Sequence, residues 1–179
     1  MGSGSGLACD LTLNSVLTRE QQDKYQSTTV VRKVLGEART IAMVGLSTQS
    51  QKASQFVATY LKYEGYRIIP VHPSATQILG EKVYPDLASI PIPVDIVNVF
   101  RPATACPAIA HQAVAIGAKV FWLQLRIVSE EAAEIASAGG LQVVMDRCIK
   151  MEHGRYNGSM HWVGMNTGLI TAKRARRWF

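Results

Sequence analysis

Between Ile41 and Met145 the chain carries five short apolar segments, each ending in a turn and separated from the next by a helix-like stretch. They are Ile41–Val44, Tyr66–Val71, Asp95–Phe100, Lys119–Leu125 and Gln142–Met145. Short continuous apolar runs suit parallel strands buried on both faces. Between them, Phe56, Val57, Tyr60 and Leu61 share one helical face closed by Gly65, and Ile109, Ala110, Ala113 and Val114 share another stopped by Gly117. Ser129 caps a third helix, with Glu130 and Glu131 in its first turn.

Strands alternating with helices imply right-handed crossovers, hence an α/β protein with a Rossmann-like, doubly wound, five-stranded parallel sheet in a single domain. The strand order expected is 3-2-1-4-5. Val30, Val31, Val34, Leu35 and Ala38 follow helical spacing and predict a leading helix over Thr28–Arg39. Residues 7–26 have little periodicity, so residues 1–27 read as a flexible leader, 28–156 as the domain and 157–179 as a basic tail. His72-Pro73-Ser74 opens a long connection through Gly80, Pro85, Pro91 and Pro93, with one short helix expected near Asp86–Ser89.

A chain of 179 residues, 47% of them apolar, suffices for one core. No apolar run approaches the roughly 20 residues that span a bilayer, and no basic-then-apolar leader occurs, so a cytoplasmic protein without a membrane partner is expected. Gly6 stands where a myristoylation signal needs Ser or Thr. Cys9, Cys106 and Cys148 form an odd set without C-x-x-C, which argues for reduced thiols and against a disulfide framework or cysteine zinc site. The net charge of +6 is concentrated at the C-terminus, where Lys150, Arg155, Lys173, Arg174, Arg176 and Arg177 face Glu152 alone. That end suits a polyanion, a solvated arm or an oligomer clasp.

In such sheets, ligands bind at the carboxyl ends of the strands. Here these ends are Gly45–Ser54, His72–Ser74, Phe100–Pro102, Gln124–Arg126 and Asp146–Lys150. Four of the five carry Arg or Lys and only Asp146 is acidic, so an anionic ligand is expected. In the first loop, Gly45 permits a tight turn; Ser47, Ser50, Ser54 and Lys52, with a helix starting near Ala53, suit a diphosphate. Gly45, Ser47 and Ser50 occupy the spacing where the dinucleotide fingerprint has glycines, and no G-K-[ST] follows. An NAD site would also place an acid at the end of the second strand, where His72 stands. No catalytic constellation emerges: His111 is expected on a helix surface, and His153 and His161 in or before the tail. Metal chemistry has no support. Cys148, beside Arg147 and Lys150, is a candidate thiol site if those charges lower its pKa, or else a packing residue.

Ile41-Ala-Met-Val-Gly-Leu-Ser47, Gly65-Tyr-Arg-Ile-Ile-Pro70, Val97-Asn-Val-Phe-Arg101, Trp122-Leu-Gln-Leu125 and Val144-Met-Asp-Arg-Cys-Ile-Lys150 together resemble the stand-alone bacterial CoA-binding domain proteins. Those are relatives of the CoA-binding domain of the succinyl-CoA synthetase α subunit. The resemblance runs over about Thr28–Tyr156 and extends in some members to Asn157–Gly168. It implies a CoA or acyl-CoA site in which Gly45, Leu46, Ser47, Ser50, Lys52, Ala53 and Ser54 hold the diphosphate. His72 and Pro73 would face the adenosine, Phe100, Arg101 and Pro102 would border the nucleotide or pantetheine arm, and Gln124 would lie opposite. Many members have Asn-Pro-Lys where this chain has His72-Pro73-Ser74, which removes a charge from the 3′-phosphate. Many also have Gly where Arg126 stands; here the guanidinium either adds a phosphate contact or blocks the pantetheine end. The synthetase's phosphohistidine domain and ATP-binding subunit are absent, so CoA binding without catalysis is the expectation. The alternatives are an NAD(P)-linked oxidoreductase, or a ligand-sensing nucleic-acid binder using Lys173–Phe179. No helix-turn-helix accompanies the latter. Trp162, Trp178 and Phe179 make a homo-oligomer conceivable.

Overall fold

The computed structural model describes residues 16–156. Five parallel strands, β1 (Thr40–Val44), β2 (Arg67–Val71), β5 (Ile96–Val99), β6 (Val120–Leu123) and β7 (Gln142–Val144), form one sheet in the order β2-β1-β5-β6-β7. β3 (Gln77–Ile78) and β4 (Glu81–Lys82) form a small separate antiparallel ladder. The helices are α1 (Arg19–Tyr25), α2 (Thr28–Glu37), α3 (Ala53–Tyr63), α4 (Cys106–Ala115), α5 (Glu130–Ala138) and α6 (Ile149–Tyr156). One face of the sheet is packed by Val31, Leu35, Val57, Leu61 and Ile149 of α2, α3 and α6. The other is packed by Ile109, Ala113, Ala132 and Ala136 of α4 and α5. The sheet is thus covered on both faces, which is why its strands read as unbroken apolar runs.

The order of the five long strands is 2-1-3-4-5, not the 3-2-1-4-5 expected. Pro70 supplies the reason. Its carbonyl accepts Tyr84 N on the outer side of β2, at 3.0 Å, and there the proline has no N–H to continue a ladder. The outer edge of β2 is closed by a single parallel bridge, Val71 to Tyr84, and the third long strand pairs with the free side of β1 instead. The order of the strands therefore reverses between β1 and β5, while all five remain parallel.

Two further expectations change. From residue 16 the expected flexible leader is ordered: Thr18 and Gln21 form a reciprocal capping box that starts α1, and Leu17 and Tyr25 are buried against the α4/α5 side of the core. Met145 N donates to Tyr25 O at 3.4 Å and Gln26 Nε2 to Met145 O at 3.0 Å, so α1 covers the open edge beyond β7. The short helix expected near Asp86–Ser89 is a turn, closed by Ser89 N and Oγ donating to Asp86 Oδ1 at 2.8 and 2.7 Å. The helix ends are as the glycines indicate. At α3, Tyr66 N reaches Leu61 O and Gly65 N reaches Lys62 O, a Schellman end that requires the left-handed Gly65.

At the amino ends of the strands, Asp95 joins β1, β5 and β6: its Oδ2 accepts Arg39 N (2.8 Å) and Thr40 N (3.0 Å), and its Oδ1 lies 2.8 Å from Lys119 Nζ. Burial pushes this carboxyl up, but the bonds from Lys119, Arg39 and Thr40 outweigh it and hold its pKa at about 2. Because the folded-state value lies below the unfolded 3.8, the contribution is complete above that pH and is lost as pH falls from there toward 2. The expected result is that Asp95→Asn lowers the urea midpoint at pH 6 and that the gap from the natural chain narrows below pH 3.8. A gap that stays constant on acidification would exclude this role.

Candidate functional site

The reversal between β1 and β5 fixes where a ligand crevice lies: at the carboxyl ends of these strands, between the loops they feed. Gly45, the first residue after β1, has φ +84°. A Cβ there would lie 2.8 Å from Arg101 Cδ and 3.1 Å from its Cγ, so the Arg101 methylenes lie directly across the glycine. The loop beyond is internally tied. Ser47 N donates to Ser54 Oγ and Gln49 N to Ser47 Oγ, each at 3.1 Å, and Gln55 Nε2 donates to Ser47 O. Ser54 and Gln55 are buried, whereas Ser50, Lys52 and Ala53 are exposed. Lys52 is the N-cap of α3 and provides no side-chain cap, and the N–H groups of Ala53 and Ser54 have no intrahelical acceptor. A rigid turn, free helix-end donors and one exposed ammonium are groups suited to an anion. Leu46 belongs to it only through its backbone, because its side chain is fully buried in the core under α3.

At the end of β2, His72 Nδ1 accepts Ser74 N (3.3 Å) and Ala75 N (3.2 Å). The ring hydrogen is therefore on Nε2, and Pro73 and Ser74 are exposed beside it. At the end of β5, Phe100 N donates to Val44 O at 2.9 Å; Arg101 and Pro102 are exposed and lead through a 3-10 turn, Ala103–Ala105, into α4. At the end of β6, Gln124 is 4% exposed and donates through Nε2 to Asn98 Oδ1 at 2.6 Å. Asn98 is wholly buried in the centre of β5, and its Nδ2 lies 3.1 Å from Met43 Sδ.

Two residues beyond Gln124, Arg126 has φ +68° and donates its N–H to Asp146 Oδ1 at 2.6 Å. Asp146, itself at φ +54° and 2% exposed, also accepts Val16 N at 3.3 Å through Oδ2. Asn98 and Asp146 are the site-supporting residues that the sequence reading leaves without a role. A polar residue inside an apolar strand was the available signal for the first.

Cys148 is not the low-pKa thiol expected. Burial pushes its thiol above the usual value, and the N–H groups of Met151 and Lys150 with the Lys150 charge only partly oppose this. The lowering that would make it a reactive thiol does not occur. His153 is a core residue of α6: its Nδ1 lies 3.1 Å from Tyr60 Oη, its ring packs edge-on against Tyr60 and Tyr66, and burial lowers its pKa. Arg155 and Glu152 are likewise buried as a pair at 3.1 Å, so part of the basic C-terminal charge is internal to the domain. His161, Lys173–Phe179 and the rest of the tail lie outside the described residues, as does Cys9. Among the described residues, no group of three His, Cys, Asp or Glu is placed to hold a metal, and no helix is long and apolar enough to cross a membrane.

The chain is 39% identical over 123 residues to the uncharacterized protein YneT of Bacillus subtilis (strain 168), a match covering 69% of this chain and 91% of that protein. A hypothetical protein from Pyrococcus horikoshii OT3 superposes with TM-score 0.71 at 33% identity, covering 73% of this chain and 92% of the other. A Thermus thermophilus structure gives TM-score 0.69 at 32% identity, over 73% of this chain and 98% of that one. Residues 39–154, which run from just before β1 almost to the end of α6 and take in every strand end described above, match the CoA binding domain family, and the chain belongs to it.

Proposed function

We propose that this protein binds CoA or an acyl-CoA and catalyses no reaction of its own. The observation that carries the reading is the first loop, where left-handed Gly45 under Arg101 leads to the free N–H groups and exposed Lys52 at the start of α3. A diphosphate needs several donors converging on a backbone that approaches closely, and this loop supplies them. The adenosine then lies over the end of β2, and the pantetheine arm crosses Phe100–Pro102 toward Gln124. At β2, His72 offers a single Nε2–H donor where many relatives offer a lysine, so recognition of the 3′-phosphate is expected to be weak. No carboxylate stands at the end of β2 to hold ribose hydroxyls, which disfavours NAD(P). The free thiols of Cys106 and Cys148 fit a reducing compartment such as the cytoplasm.

Calorimetric titration with CoA, dephospho-CoA, acetyl-CoA and NAD tests the reading. CoA and dephospho-CoA are expected to bind with similar affinity, NAD not at all, and Lys52→Ala to weaken CoA by about tenfold or more, the scale of one charge-assisted hydrogen bond. Silence toward every CoA form from folded protein would refute the proposal, and binding of NAD alone would replace it with a nicotinamide site.

A further inference from the structure

We infer that Arg126 selects acyl-CoAs whose acyl group ends in a carboxylate, through the paired left-handed residues Arg126 and Asp146 at the carboxyl ends of β6 and β7. This inference rests on the CoA reading above and extends it to the far end of the ligand. Left-handed backbone costs a residue with a side chain about 1–2 kcal/mol, and such strain persists where surrounding bonds hold it. Here the hold is specific: the buried Asp146 carboxylate takes the Arg126 N–H at 2.6 Å and, through its other oxygen, Val16 N at 3.3 Å. The Asp146 carboxylate accepts from these two backbone donors, and the Arg126 side chain is exposed. The result is a guanidinium fixed at its base at the end of β6.

Topology places that guanidinium relative to the ligand. With the diphosphate on the loop after β1, the neighbouring β5 and β6 lie one and two strand spacings away, about 5 and about 10 Å. An extended pantetheine arm spans about 15 Å from diphosphate to sulfur at standard bond lengths. The thioester therefore passes the end of β6 and reaches the end of β7, beside the bond that joins Arg126 to Asp146. An acyl group on that sulfur then lies within reach of the exposed Arg126 side chain. A guanidinium pairs with a carboxylate through two parallel hydrogen bonds, a geometry that neutral acyl chains do not satisfy. Leu125, half exposed beside it, suits the methylenes of such a chain.

The test is titration with malonyl-CoA and glutaryl-CoA against acetyl-CoA and butyryl-CoA, in the natural chain, Arg126→Met and Arg126→Gly. The carboxyl-ended thioesters are expected to bind about tenfold more tightly than the neutral ones, the scale of one charge-assisted pair. Both variants should erase that preference by bringing the carboxyl-ended thioesters to the affinity of the neutral ones. Arg126→Gly suits the left-handed backbone, so it remains folded and keeps the comparison valid. Equal binding of charged and neutral thioesters by the natural chain, or a preference that survives both variants, would overturn the inference while leaving CoA binding intact. Absence of binding by CoA itself would overturn the underlying reading, and this inference with it.

Discussion

Gly45→Ala is expected to destabilise the fold by about 2 kcal/mol and to reduce CoA binding to undetectable levels. The two effects share an origin. At φ +84° an alanine pays the left-handed penalty, and its Cβ would sit 2.8 Å from Arg101 Cδ, closer than carbon atoms pack. Arg101 is a flexible side chain and can swing aside, so the steric part is relievable and the backbone part is not. If the chain resolves the conflict by turning residue 45 out of the left-handed region, the loop to Lys52 re-aims and the α3 donors no longer converge. Urea denaturation with calorimetry separates the parts. Arg101→Ala alone should cost little stability, and the double variant should remain nearly as unstable as Gly45→Ala. Recovery of stability and binding in the double variant would assign the whole effect to Arg101 and leave the backbone conformation without a role.

That glycine was legible because its chemistry is local: a turn residue directly after an apolar run identifies itself without knowledge of the tertiary structure. The five strands were legible for the same reason, since burial on both faces writes an uninterrupted apolar segment into the sequence. The pairing order was not, because it is decided between segments far apart in the chain. Pro70 carried the clue, yet a proline in a strand says only that one edge is closed, and which neighbour takes the other edge is settled by packing. Arg19–Tyr25 went unseen because seven residues are too few to display a helical period, although the Thr18–Gln21 capping box was present. At the site, residue types were readable and couplings were not. Arg126 is visible as a charge at a strand end, but its left-handed backbone and the Asp146 bond join residues 20 apart in sequence. Cys148 shows the converse: of the neighbouring charges that suggest a lowered pKa, Lys150 does act in that direction, and burial, which sequence does not measure, outweighs it.

Asn98→Leu is expected to cost about 2–3 kcal/mol even though it replaces a buried amide with an apolar side chain of similar size in the centre of the sheet. The loss arises at its partner. Gln124 Nε2 donates to Asn98 Oδ1 at 2.6 Å, and with Gln124 only 4% exposed no water replaces the lost acceptor. The double variant Asn98→Leu with Gln124→Leu removes both polar groups, so urea denaturation should find it more stable than Asn98→Leu alone. In the proposed CoA site the same bond sets how Gln124 faces the ligand. With one Nε2 hydrogen committed to Asn98, the orientation of the amide is fixed, and its Oε1 is an acceptor suited to the amide hydrogens of a pantetheine arm. Asn98→Leu should therefore weaken CoA binding severalfold without touching the ligand, and Asn98→Asp, which keeps an acceptor for Nε2, should retain more of it. A destabilisation that the second substitution fails to relieve would mean that the cost lies in packing around Met43 and Trp122, and that the Asn98–Gln124 bond neither holds β5 to β6 nor orients the site.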